Sequence, residues 1–249
     1  MKCFAMPTSK LSTLLADLEA AASPARAKSS AWFFKTGKGH YGEGDLFLGI
    51  AVPALRKIAH RHVDLGPAVL KKLLASKIHE HRHAALEILV AQFESASPAQ
   101  QASIYRFYIA NTAGINNWDL VDTSAPYIVG QYLLNRPRAI LRKLAKSRNL
   151  WERRIAIVAT FAFIRAGDPA DTFAIAQILL ADEHDLIHKA VGWALREAGK
   201  HSPQQLIAFL KANYAALPRT TLRYAIERFK PVEREFLLAG KFAEAADIL

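Results

Sequence analysis

The segment Trp118-Asp119-Leu120-Val121-Asp122 places an aromatic plane and two carboxylates within five residues. On a helix, Trp118 and Asp122 stand at i and i+4 and share a face, whereas Asp119 points elsewhere. A ring beside a carboxylate can pack on a sugar or a cationic base while the carboxylate stabilises positive charge developing there. The preceding Asn116-Asn117 can cap the helix start, and Asp119 can complement the positive end of its dipole. Read alone, the five residues favour a plainer role, a core tryptophan with two helix-start acids.

Two further segments pair tryptophan with charge. In Leu150-Trp151-Glu152-Arg153-Arg154, Trp151 and Arg154 are i, i+3 neighbours, and a guanidinium suits bidentate phosphate contact. Between Lys189 and Glu197, Trp193 shares a face with Arg196 and with Glu197, and Gly192 leaves room for something close to the backbone. Aromatics interleaved with basic residues are what a nucleic-acid surface needs. Buried tryptophans with solvated flanking charges are the competing reading. In His79-Glu80-His81-Arg82-His83 the outer histidines are i, i+4, but the H-E-x-x-H spacing is absent and no further ligand lies close in sequence. The stretch reads as a solvated helix face, with no metal expected. Cys3 alone makes no cysteine-based site. The run from Lys35 to Gly49 holds five of the twelve glycines. It lacks G-x-x-x-x-G-K-[ST] and follows no strand, so a flexible or lesion-adjacent loop between helices is expected rather than a nucleotide-phosphate cradle.

The elements that must position these residues are helices. Period-2 alternation is scarce, whereas apolar residues recur at helical spacing: Leu86, Leu89, Val90 and Phe93; Leu133, Ile140, Leu141 and Leu144, broken by Pro137; Ile155, Val158, Ala159 and Ala162. Pro, Gly, Ser and Asp clusters at 95–98, 135–137, 167–169, 202–203 and 217–218 separate them. A string of helices about 12–18 residues long with short connections is expected. A weak repeat runs through the string. A basic residue followed two positions later by a small or branched one recurs at Arg82, Arg154, Lys189 and Arg223, with spacings 189 − 154 = 35 and 223 − 189 = 34. Trp118 falls one period after Arg82. Such self-similarity marks stacked helix pairs and would set Arg82, Trp118, Arg154, Lys189 and Arg223 in a row along one surface. Basic residues that merely cap or solvate their own helices are the alternative.

The composition narrows the partners. The 249 residues carry a formal net charge of +11 and a pI near 9.8, which attracts polyanions. Nucleic acid fits better than an anionic membrane surface, because the basic charge is spread along the chain rather than gathered in one tail. No apolar run approaches a membrane span, Met1 to Lys10 shows no secretory pattern, and a single cysteine suits a reducing compartment, so a cytoplasmic protein is expected.

Taken together, four segments are specific. These are Phe33-Phe34-Lys35-Thr36-Gly37 through Gly42-Glu43-Gly44-Asp45 and Phe47-Leu48-Gly49; Asn117-Trp118-Asp119 with Val121-Asp122; Trp151-Glu152-Arg153-Arg154 with Ala156; and Lys189-Ala190 with Gly192-Trp193 and Leu195-Arg196-Glu197. With them, and with Pro218-Arg219-Thr220 and Leu222-Arg223-Tyr224-Ala225, the chain from about Trp32 to Phe229 resembles the AlkD-like DNA alkylation-repair glycosylases. The resemblance implies an all-α, right-handed solenoid of HEAT-like helix-pair repeats with a concave basic groove, one domain over 1–249. It implies excision of cationic alkylpurines, such as 3-methyladenine and 7-methylguanine, from double-stranded DNA, by a monomer without metal, nucleotide or other cofactor. Asp122 would be the catalytic carboxylate, with Trp118 and Trp193 flanking the lesion. DNA contacts would come from Arg154, Arg196, Phe33, Lys35, Arg82, Trp151, Lys189 and Arg223. Phe33 departs from the family's tyrosine at that position, and Tyr41 is the nearby substitute. The competing classes are a non-catalytic binder of damaged or branched DNA and a helical-repeat protein scaffold.

Overall fold

The computed structural model describes residues 10–242; Cys3 and the N-terminal stretch before Lys10 lie outside them. Among the described residues the regular elements are helices, with one isolated parallel bridge between Leu46 and Ile78. Contacts divide the chain into two compact units, Met1–Ser124 and Ala125–Leu249.

The first unit holds α1 (Lys10–Ala20), α2 (Pro24–Phe33), α3 (Val52–His60), α4 (Pro67–Leu74), α5 (His79–Ser95), α6 (Pro98–Ala110) and α7 (Trp118–Asp122). Prolines in the first turns of α2, α3, α4 and α6 start those helices, where the missing N–H is no loss. Ser97 and Gln100 close a reciprocal capping box on α6. The central element is α5, packed by α3 and α4 and touched by α7. Its apolar stripe Leu86, Leu89 and Phe93 is buried as expected. Its first turn is also buried, and there the sequence reading of a solvated face fails: His79, Glu80, Arg82 and His83 all lie inside. Their partners come from distant segments.

The second unit holds α8 (Gln131–Leu133), entered through one π turn at Pro126–Gly130, then α9 (Ala139–Ala145), α10 (Leu150–Val158), α11 (Phe161–Arg165), α12 (Ala170–Leu179), α13 (Asp185–Gly199), α14 (Pro203–Asn213), α15 (Arg219–Ala225) and α16 (Pro231–Leu238). Helix pairs stack here, with α10 on α13 and α13 on α15. The α13–α15 seam is close because of Gly192. A Cβ there would stand 2.5 Å from Tyr224 Cβ and 2.7 Å from the Thr221 carbonyl oxygen. The space read in the sequence as room for something close to the backbone is filled by α15. Most helices are shorter than expected. Among the described residues only α5, α6 and α13, of 17, 13 and 15 residues, reach the expected 12–18, because the prolines and turn clusters cut the apolar stripes more often than the periodicity suggests.

The helix-pair repeat is real, but its register differs by one residue from the sequence reading. Ser76, Ser147 and Asp182 each begin the turn into the second helix of a pair. Each side chain accepts the N–H two residues on, at Ile78 (3.1 Å), Asn149 (3.0 Å) and His184 (2.9 Å). Each carbonyl accepts a basic side chain six residues on, from Arg82 (2.8 Å), Arg153 (3.1 Å) and His188. The counterparts of Arg82 are therefore Arg153 and His188, and not Arg154 and Lys189. Two adjacent arginines at 153–154 satisfy the same one-dimensional pattern, so the pattern could not choose between them.

Candidate functional site

In the first unit, α7 is a single turn and a half that carries Trp118 at its first position and Asp122 at its last. Asn117 caps it, its side-chain oxygen accepting from Trp118 N at 2.8 Å. So short a helix has little stability of its own and takes its position from what holds it. Asp119 supplies one tie: its carboxylate accepts from His79 Nε2 at 2.7 Å and from Leu120 N at 2.9 Å. Thr123, just past the helix, supplies another by donating to Glu87 Oε1 at 2.9 Å. Asp122 is half-buried, and its charge helps burial to push the hydroxyl pKa of Tyr108 upward.

Those ties lead into a buried ionic cluster on the first turns of α5. His79 Nδ1 lies 3.5 Å from Asp45 Oδ2, and Arg82 donates to the same oxygen at 2.7 Å. Glu87 receives both guanidinium arms of Arg56, at 2.9 and 3.0 Å, with His83 Nε2 at 3.4 Å. Burial opposes the charge on His79, but hydrogen bonds to Asp119 and Asp45 outweigh it and push the imidazole up to about 9. Burial also opposes the charges of Asp119 and Glu87. The His79 bond still holds Asp119 below its ordinary value, and His83, Arg56 and Thr123 hold Glu87 at about 2. His79, His83 and Asp119 bring one potential ligand atom each within 4.8 Å of one another, the one group of three found so close among the described residues. The 2.7 Å bond between His79 and Asp119 engages two of those residues with each other.

An aromatic stack roofs the cluster. The charged imidazole of His79 lies against both Phe47 (4.7 Å between centroids) and Phe34 (5.0 Å), two rings that stack on each other at 5.1 Å, and contact with ring faces favours the cation. Phe34 stacks in turn on Trp118 at 5.4 Å, and Phe33 meets Trp118 edge-on at 6.0 Å. The glycine-rich segment that brings Asp45 and Phe47 here is a loop between α2 and α3, as expected, and its end is anchored on α5. The Glu80 carboxylate accepts from Leu48, Gly49 and Ile50 N–H groups at 2.9, 2.7 and 3.3 Å. Gly49 has φ +77° and packs so tightly on α2 that a Cβ would lie 2.3 Å from Ala27 N.

In the second unit, Trp193 packs on Phe161 with centroids 4.3 Å apart. Arg196 pairs with Glu227 and, at 3.3 Å, with Glu197, which also binds Lys200. Arg154 donates to the Leu186 carbonyl at 2.7 Å, and Lys189 pairs with Asp185 at 2.7 Å.

A model of the DNA alkylation repair enzyme family matches residues 14–229. The chain belongs to the DNA alkylation repair enzyme family. A solved structure of a predicted DNA alkylation repair enzyme from Enterococcus faecalis shares the fold, with a TM-score of 0.66 at 16% identity over 84% of this chain and 97% of that one. No curated protein matches.

Of the sequence-predicted residues, Trp118 and Phe33 meet in the first unit, with Phe33 exposed and Asp122 on the same short helix as Trp118. Lys35 is exposed at the end of α2, and Arg223 is exposed on α15. Tyr41, the alternative to Phe33, donates its hydroxyl to the Phe33 carbonyl at 3.5 Å and so supports that position rather than replacing it. The expected surface row fails at two of its members, Arg82, 2% exposed, and Arg154, 5%; Trp151, an expected DNA contact outside the row, is buried too at 7%. Both arginines spend hydrogen bonds on main-chain carbonyls, as buried guanidinium groups must. Sequence reasoning missed the ionic cluster beneath α7 and the exposure of Trp32. For Trp32 a signal existed: residues 20–42 contain no acid and four cations.

Proposed function

We propose that the protein is a DNA glycosylase that hydrolyses the N-glycosidic bond of cationic alkylpurines, 3-methyladenine and 7-methylguanine, in double-stranded DNA. The observation that carries the reading is the pairing of Trp118 and Asp122 on one capped turn, seated on buried ion pairs and beside exposed Phe33. An alkylated purine already bears positive charge, so the C1′–N bond breaks with its electron pair passing to the base, which leaves neutral. Positive charge then gathers on the sugar. Asp122 stabilises it while a water oxygen bonds to C1′ and releases its proton. Trp118 packs on the sugar, and Trp193 and Arg196 are DNA contacts of their own unit. Phosphates are held by the exposed cations, Lys35 and Arg223 among them, with Lys189. Arg82, Arg154 and Trp151 act by holding the helices. The enzyme works as a monomer, with no metal or nucleotide.

The test is release of 7-methylguanine from methylated duplex DNA by wild type and Asp122→Asn, run beside duplex binding. Loss of a preorganised charge at the reacting centre should lower the rate by about 10²–10³-fold with binding retained. Wild-type release by the variant would overturn the mechanism. Binding without release by the wild type would favour a non-catalytic binder of damaged DNA.

A further inference from the structure

Trp32 is 83% exposed on the last turn of α2, beside Phe33 at 56%. An isolated exposed apolar residue needs no explanation, but two adjacent aromatics do, because together they offer a contiguous apolar patch to water. Their helix is equally unusual, since α2 buries no residue at all. Packing therefore does not account for an indole at this position.

The surroundings say what the patch fits. From Ala20 to Gly42 there is no carboxylate, and Arg26, Lys28, Lys35 and Lys38 are all exposed. The next acid, Glu43, turns back to accept from Gly39 N at 2.8 Å. Lys35 sits at φ 53°, in the left-handed region where a helix ends most comfortably with glycine. A lysine there costs backbone strain and offers a cation in return. The aromatic pair thus lies in a stretch whose ionised side chains are all cationic and exposed, which suits a polyanion that carries flat π faces and disfavours a second basic copy of this chain. Through Phe33, which meets Trp118 edge-on, the patch is continuous with the candidate site.

We infer that Trp32 is a stacking wedge for duplex DNA: its indole enters a gap in the base stack at the lesion while Arg26, Lys28, Lys35 and Lys38 hold the flanking phosphates. The inference rests on the reading of the protein as a binder of damaged duplex. It assigns the work of holding an opened stack to α2, and the chemistry stays with α7.

The probe is a duplex carrying a tetrahydrofuran abasic site with 2-aminopurine opposite it, compared with the same duplex intact. Stacking on one base contributes on the order of 1–3 kcal/mol, so Trp32→Ala should weaken binding to the abasic duplex by about 5–150-fold and reduce the change in 2-aminopurine fluorescence. Trp32→Phe should recover most of both, since a ring remains. Lys35→Ala with Lys38→Ala should weaken both duplexes and flatten the salt dependence. Trp32 contributes nothing to the core, so these variants should fold, as circular dichroism will check. Equal binding of the abasic duplex by wild type and Trp32→Ala overturns the inference. So does a Trp32→Ala variant whose only change is in self-association by sedimentation. Base release by wild type and Asp122→Asn is measured separately, so failure of the wedge leaves the glycosylase reading standing, and the reverse.

Discussion

Asp119→Asn should uncouple α7 from α5 in a way that depends on pH. The imidazole of His79 is pushed up to about 9 from an ordinary 6.5. Its side chain is only 3% exposed, so solvent screening does little to dilute the effect. A difference of that size between folded and unfolded chains corresponds to roughly 3 kcal/mol at about 1.4 kcal/mol per pKa unit. Because the folded value is the higher one, this stabilisation is complete below pH 6.5 and is lost as pH rises from 6.5 to about 9. Replacing Asp119 removes the stronger of the two hydrogen bonds that hold the charge and leaves the cation with Asp45, which Arg82 already engages. Near pH 6 the variant should lose about 2–3 kcal/mol. At about pH 10, with His79 neutral in both proteins, the loss should shrink to about 1 kcal/mol, the value of an ordinary hydrogen bond. Urea unfolding followed by circular dichroism at the two pH values reads the difference directly. A loss that is the same at both, or larger at high pH, would show that the His79 charge does not hold α7 in place.

Two further outcomes follow from the same geometry. Glu87 is held at about 2 against an ordinary 4.5, so its contribution is present above pH 4.5 and fades as pH falls towards 2. Glu87→Gln should cost about 2–4 kcal/mol at neutral pH and almost nothing near pH 2, an acid-unfolding titration being the check. Gly192→Ala should force α13 from α15 and lower stability by about 1–3 kcal/mol, because the Thr221 backbone gives way less readily than a side-chain tip. An unchanged thermal midpoint would mean that the seam has slack.

The all-α class was legible because helical periodicity and proline punctuation are local, and the Asn117 cap on α7 was legible for the same reason. The polar interior of the first unit was not. Asp45 and Asp119 lie far along the chain from His79, so nothing near His79 in sequence says that its charge is neutralised inside. A stretch with five polar residues in a row looks like a surface until its distant partners are known. The exposure of Trp32 was not legible from its residue type, and only the acid-free charge around it argues for a surface. The repeat was visible, but its register was not, because that register is written in hydrogen bonds from a carbonyl to a side chain six residues on.

Those carbonyl brackets also decide where the chain tolerates changes in length. Each ties the entry turn of a helix to a side chain on its own second turn, so it acts as a ruler for that helix's rotational phase. Deleting one residue between Ser147 and Arg153 would turn the rest of α10 by about 100° and draw it back by about 1.5 Å. That turn would swing Arg154 away from the Leu186 carbonyl it now meets. Insertions between helix pairs would leave the ruler untouched. Lineages of this fold should therefore vary in length between repeats and hold strictly to count within the six residues of each bracket.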